Sequence, residues 1–300
     1  MSNQAVPSFW KRNQKALAPW IFLAPGMIMF LLYVIYPIIE SVLISFYQWD
    51  GLGPKTWVGV QNYKDLLDDD SFYTSLKNNL IWLVLYLLAI PAGLAVALFL
   101  NQTVTGIRLY KSLFFFPFVI SQVVVGLIFS WFYAPGFGLL PHILHFFTGS
   151  DIAVLAEDKY ATYGVIAAGL WPQTAYCMIL YLTGLNNINP EQVEAARMDN
   201  AKGFSMLWNI ILPQLRPATF IAMVVTVIGA LRSFDLISIM TVGGPYGATR
   251  VLSYFMYEQA LSEYGTAMGY GAAIAVVLFA IMLIFISIFI VRMLAQERNA

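Results

Sequence analysis

Five stretches of this 300-residue chain, 16–39, 78–107, 112–150, 160–190 and 264–291, contain no Asp, Glu, Lys or Arg. Each is longer than the roughly 20 residues a helix needs to cross the hydrocarbon layer of a bilayer. A soluble fold would have to bury all five, and the composition argues against that. Hydrophobic residues are 60% of the chain and charged residues 11%, about half the charged share of a soluble domain. A sixth apolar segment, about Ala218 to Met240, carries two charges, Arg232 and Asp235. The expectation is an all-α integral membrane protein with six helices, near 19–46, 79–100, 113–133, 161–184, 215–241 and 268–293. Pro37, Pro91, Pro117 and Pro172 fall inside these segments. They do not veto them, because neighbouring helices can satisfy backbone groups that proline frees.

Basic residues orient the spans. Lys11, Arg12, Lys15, Arg108, Lys111, Arg197, Lys202, Arg216, Arg292 and Arg298 fall on one side, against Lys55, Lys64, Lys77, Lys159 and Arg250 on the other. The acidic run Asp68, Asp69, Asp70 lies on that second side. Both termini are expected in the cytoplasm, with Glu40 near the outer boundary or facing another helix. The first apolar run follows basic residues as a signal peptide would. It exceeds a secretory h-region of roughly 7 to 15 residues and has no small-residue cleavage site, so it reads as a span.

Several functions are disfavoured. Net charge is zero, and no basic block supports a nucleic-acid partner. Cys177 is the single cysteine and cannot close an intrachain disulfide. His142 and His145 make at most two ligands of a metal site that needs more. No Gly-Lys-Ser/Thr occurs, so the chain has no phosphate-cradling loop with which to hydrolyse ATP. No nucleophile–base pair is evident at depth, which argues against a membrane enzyme. An ion-gradient-driven transporter of a small polar solute stays open as the alternative, although repeated halves and buried acids are not visible.

The segment between spans four and five is more than a connector. Asn189 suits a helix N-cap, Pro190 the first helical position and Gln192 the third position of a capping box. Ala195, Ala196, Arg197 and Met198 favour helix. Asn200 tolerates the left-handed region and can turn the chain. Phe204, Leu207, Trp208, Ile211 and Leu212 then form one helical stripe before Pro213 and Pro217. This helix-turn-helix either rests in lipid headgroups or docks on a partner.

Glu194-Ala195-Ala196 followed by Ile210, Leu212 and Pro213 resembles the EAA motif of binding-protein-dependent ABC importer permeases. The family has Gly where this chain has Asn200. Ser45-Phe46-Tyr47-Gln48-Trp49 and Trp57-Val58-Gly59-Val60-Gln61-Asn62-Tyr63 resemble the first outer loop of the carbohydrate-type members. Ser233-Phe234-Asp235-Leu236, Thr241-Val242-Gly243-Gly244-Pro245, Thr249 and Tyr264-Gly265 resemble their fifth span and the loop after it. The chain is most similar to the maltose-transporter-type subunit.

The resemblance implies a type I importer permease in a bacterial or archaeal inner membrane. Residues 1–18 would be a cytoplasmic segment and 19–300 the transmembrane domain, with coupling segment 189–212. The partners implied are a second homologous permease, two ATPase subunits that bind ATP and Mg, an external solute-binding protein, membrane lipid and a sugar-type substrate. No cofactor is implied in the chain itself. Carried over by position, Glu194, Ala195, Ala196, Asp199 and Asn200 would dock on an ATPase. Gly169, Pro172, Gln173 and Tyr176, with Thr226, Gly229, Ala230 and Ser233, would line the sugar path. Each is equally consistent with helix packing. Arg232 and Asp235, at i,i+3, would form a structural or gating ion pair or touch substrate.

Overall fold

A computed structural model describes residues 9–102, 105–149, 152–262 and 266–297. Most of the chain is helical. α1 (Phe9–Phe30) passes through a π-helical turn, Leu31–Ile35, into α2 (Tyr36–Ile44). Pro37, in the first turn of α2, has no N–H to return to the preceding turn, which is where the ladder widens. None of the most apolar window of this long helix is buried.

A small antiparallel hairpin, β1 (Tyr47–Gln48) and β2 (Thr56–Trp57), pairs Tyr47 with Trp57 and leads into α3 (Gln61–Leu67). α4 (Asp70–Tyr86) continues over a turn into α5 (Ala89–Leu100). The helix expected from 79 therefore begins at Asp70. The Asp69 carboxylate caps it, accepting from the Ser71 N–H at 2.7 Å, and a capped helix can project past the hydrocarbon layer.

α6 (Ile107–Val119) and α7 (Gln122–Phe132) meet at a 99° bend, so the segment expected as one helix over 113–133 is two. Ile120 is extended, and the Ser121 hydroxyl caps α7 by accepting from the Val124 N–H. A short apolar helix, α8 (Leu139–Thr148), precedes α9 (Asp158–Asn186), which matches the helix expected over 161–184.

After α9 come α10 (Pro190–Met198), α11 (Gly203–Met206), a second π turn at Leu207–Ile211, and α12 (Leu212–Gln214). α13 (Arg216–Leu231) leaves this segment at 73°. It ends at Leu231, and α14 (Asp235–Met240) starts afresh, so the helix expected over 215–241 is also broken. α15 (Leu252–Ala260) and α16 (Met268–Glu297) complete the chain. Among the described residues four helices are long and apolar enough to cross a membrane, or up to six if each bent pair counts as one.

The core lies where α4, α7, α9, α13 and α14 converge, with Trp82, Tyr86, Val125, Ile166, Ala230 and Ile237 at its centre. α5 presses against α9 at Gly93, where an added Cβ would sit 2.5 Å from the Cys177 Cβ. The absent side chain sets that helix spacing.

Candidate functional site

A cavity of about 330 Å³ opens where α13 breaks. Its lining includes Trp82 and Tyr86 from α4, Gln122 from the start of α7 and Gln173 from α9. The break contributes Gly229, Arg232, Ser233, Phe234 and Asp235. Trp82 is 1% exposed. Its Nε1 and the Gln122 Oε1 are buried without a hydrogen-bond partner among the described residues. An unmatched buried donor or acceptor costs about 1–3 kcal/mol, and a solute hydroxyl can satisfy either.

The two charged residues do not pair. Arg232 and Asp235 form no ion pair with each other, because the helix that would bring them one turn apart ends at Leu231. Both are exposed on the cavity wall. This corrects the expected Arg232–Asp235 bridge: the guanidinium and the carboxylate are separate groups presented to the same space.

The other path candidates divide. Gln173, Gly229 and Ser233 line the cavity. The Gln173 Nε2 donates to the Thr226 Oγ1 at 2.8 Å, which places buried Thr226 behind the wall and orients the amide. Gly169 is a packing contact. Its carbonyl accepts from the Tyr86 hydroxyl at 3.0 Å, and a Cβ there would come within 2.7 Å of that oxygen. Pro172 and Ala230 are buried and do not line the cavity. The Tyr176 ring packs instead on Phe118 of α6, 5.4 Å between centroids.

The segment after α9 forms an elbow. The Asn189 side chain accepts from the Glu191 N–H at 2.9 Å, with Pro190 in the first helical turn. The Asn189 N–H goes to the Gln214 Oε1 at 3.3 Å, so it is Gln214 of the second arm that fills the role expected of Gln192 and ties the arms together. Asn200 takes a φ of 61° at the turn. Glu194, Ala195, Asp199 and Asn200 are exposed. Ala196 is buried, 7% exposed, and its carbonyl accepts from the Ala201 N–H. The apolar stripe splits as well. Phe204 and Trp208 are exposed as a stacked pair 5.7 Å apart, while Leu207, Ile211 and Leu212 are half-buried; Met198, at the end of α10, is 87% exposed.

Comparison with known proteins decides what kind of molecule this is. Residues 89–299 match the family described as binding-protein-dependent transport system inner membrane component. The chain belongs to that family.

The permease is 36% identical over 277 residues to the probable ABC transporter permease protein YurN of Bacillus subtilis, covering 90% of this chain and 94% of that one. It is 31% identical to the alpha-glucoside transport system permease protein AglF of Rhizobium meliloti, covering 91% and 82%. Its fold matches a chain of a bacterial alginate ABC transporter, crystallised in complex with alginate pentasaccharide-bound periplasmic protein. That match has a TM-score of 0.82 and 21% identity, covering 94% of this chain and 95% of that one. The permease is thus a multi-pass membrane subunit of a binding-protein-dependent ABC importer, with a type I permease fold.

Two loops are held by hydrogen bonds. In the hairpin loop, N–H groups of Gly53 and then Leu52 hold the Asp50 carboxyl below its ordinary pKa. The 241–250 loop is over-determined. The Asn78 Nδ2 donates to the carbonyls of Ala248 and Arg250 at 2.7 Å each, and Thr162 donates to Ala248. The Thr249 hydroxyl donates to the Gly244 carbonyl, and an Arg250–Glu258 ion pair closes the base. Val242 and Tyr246 are held at φ 51° and 48°, conformations that side chains with a Cβ rarely adopt. Tyr246 is fully exposed. Tyr264-Gly265, part of the outer-loop motif, lies outside the described residues.

Reading the sequence by span length misses Trp82, Tyr86 and Gln122. For the first two a signal exists: Asn78, Trp82 and Tyr86 recur every four residues in a largely aliphatic run.

Proposed function

We propose that this permease, together with a second homologous permease, forms the path of a sugar or sugar derivative across the inner membrane of a bacterial or archaeal cell. The cavity carries the reading. Trp82 and Arg232 offer donors, and Gln122 and Asp235 offer acceptors, a set suited to hydroxyls of either polarity. The alpha-glucoside in the name of the relative AglF supports the same solute class. A path open to lipid could not conduct a polar solute, so a second chain must close the cavity's exposed side. The unburied α1 supports such a neighbour.

In this reading α6 with α7 is one span and α13 with α14 another, giving six in residues 19–300, and residues 1–18 are cytoplasmic. Both termini and the 189–212 elbow lie in the cytoplasm, following the basic residues. Glu194, Ala195, Asp199 and Asn200, with Met198, Phe204 and Trp208 also exposed on this segment, dock on one of two ATPase subunits that bind ATP and Mg. Closure of those subunits pulls the elbow, and because Gln214 ties its two arms, α9 and α13 move together. An external solute-binding protein meets the permease at the hairpin and at Tyr246.

The test is uptake by the assembled complex in vesicles, using a sugar found by screening the cognate binding protein. Block by vanadate and indifference to ionophores supports the reading. The opposite pattern favours ion-gradient drive and overturns it. Glu194→Lys reverses the docking charge and is expected to uncouple ATP hydrolysis from transport. Normal coupling in an assembled complex would remove the elbow's role.

A further inference from the structure

A second groove, about 580 Å³, runs along the opposite side of α4 from the cavity. Its walls are Leu76, Leu80 and Leu83 of α4, Leu231 at the end of α13, and Ile281 and Phe285 of α16. At 100° per residue, Leu80 lies about 200° around α4 from Trp82. The groove therefore faces away from the side that a second permease closes, a step that rests on the function proposed above.

Its polar groups sit toward the Asp70 end of α4. The Tyr73 hydroxyl donates to the Leu67 carbonyl at 2.9 Å. Lys77, one turn further in, is the one charged residue lining the groove. It is exposed and has no carboxylate within ion-pair distance among the described residues. An apolar trough with a single uncompensated cation near one end matches a phospholipid with an anionic headgroup: acyl chain along the leucines, phosphate on the ammonium.

The floor of the groove makes this site consequential. Leu231 and Leu252 both line it, and buried Asn79 joins them. Its Oδ1 accepts from the Leu252 N–H at 2.8 Å and its Nδ2 donates to the Leu231 carbonyl at 3.4 Å. That junction is where α13 gives way to the cavity residues Arg232–Asp235. The geometry points to an anionic-phospholipid site at Lys77 whose occupancy braces the α13–α15 junction behind the solute cavity.

The experiment compares phosphatidylglycerol with phosphatidylcholine on the purified, assembled complex, reading bound lipid by native mass spectrometry and thermal unfolding with each lipid added. Phosphatidylglycerol is expected to bind and to raise the unfolding temperature. Lys77→Gln should weaken that binding about fivefold, the size of one basic residue's attraction to an anionic lipid, and leave phosphatidylcholine unaffected. Lys77→Arg should retain it. Leu80→Trp, which fills the trough and keeps the charge, should lose it. Equal phosphatidylglycerol binding by wild type and Lys77→Gln overturns the proposal, as does a cross-link from position 77 to the second permease. Because the readout is lipid binding, failure of the sugar assignment would leave this result standing.

Discussion

α9 carries Pro172 inside it and runs unbroken from Asp158 to Asn186, whereas α13 has no proline near Leu231 and stops there. Proline removes one N–H and crowds the carbonyl four residues back, which ordinarily kinks a helix. In α9 the neighbours hold the line. Gly93 lets α5 press on Cys177, Tyr86 ties the Gly169 carbonyl, and Thr226 and Thr219 accept from Gln173 and Tyr181. At the end of α13 the neighbours do the reverse. The carbonyls of Leu231 and Ser233 would serve residues 235 and 237 in a continuing helix. They accept instead from Asn79 of α4 and Ser253 of α15. Side chains distant in sequence decide which helix is a strut and which is a joint.

The sharpest way to break this comparison is to loosen the strut. In Gly93→Leu the new Cβ would start 2.5 Å from the Cys177 Cβ and 2.8 Å from the Met178 backbone nitrogen. Backbone cannot rotate aside, so α5 must move off α9, at about 3 kcal/mol or more for overpacking. The unfolding temperature of the purified complex in detergent should fall steeply, and assembled protein with it. A melt within a degree or so of wild type would mean that the α5–α9 contact does not hold α9 straight.

The joint gives a smaller effect of a different kind. Asn79→Ala removes the donor to Leu231 and the acceptor for Leu252, leaving buried backbone groups unmatched at a cost of about 2 kcal/mol. Helix α13 is then free to extend toward Arg232, which would redraw the cavity wall. Sugar uptake should drop more than the melting temperature does. If uptake and melting fall in proportion, the break is a packing feature with no bearing on transport.

Both contrasts explain what could be read from residues alone. The extents of α9 and α16 follow from charge-free length, and the elbow follows from short-range signals, the Asn189 cap and the left-handed Asn200. The bends at Ile120 and Arg232 were not legible as a period or a breaker. The second depends on Asn79 and Ser253, 152 and 20 residues from the carbonyls they bind. The cavity shares this limit. The family resemblance nominates Gln173, Gly229 and Ser233, and charge inside an apolar run nominates Arg232 and Asp235. Trp82 and Gln122 come from other helices, and Tyr176, on the nominated side of α9, is claimed by Phe118.

The smallest expected effect tests the proline itself. Pro172 is buried in α9 and lines no part of the cavity. Pro172→Ala restores an N–H for the Ala168 carbonyl, while the lost ring leaves a small void against neighbouring helices. These opposing contributions should leave stability within about 1 kcal/mol of wild type. Uptake should also be unchanged, since the cavity wall and the elbow keep their anchors. A large loss of uptake without a change in melting would place Pro172 on the path after all. It would also show that α9 flexes at its proline during transport, in which case the strut and the joint would differ in degree and not in kind.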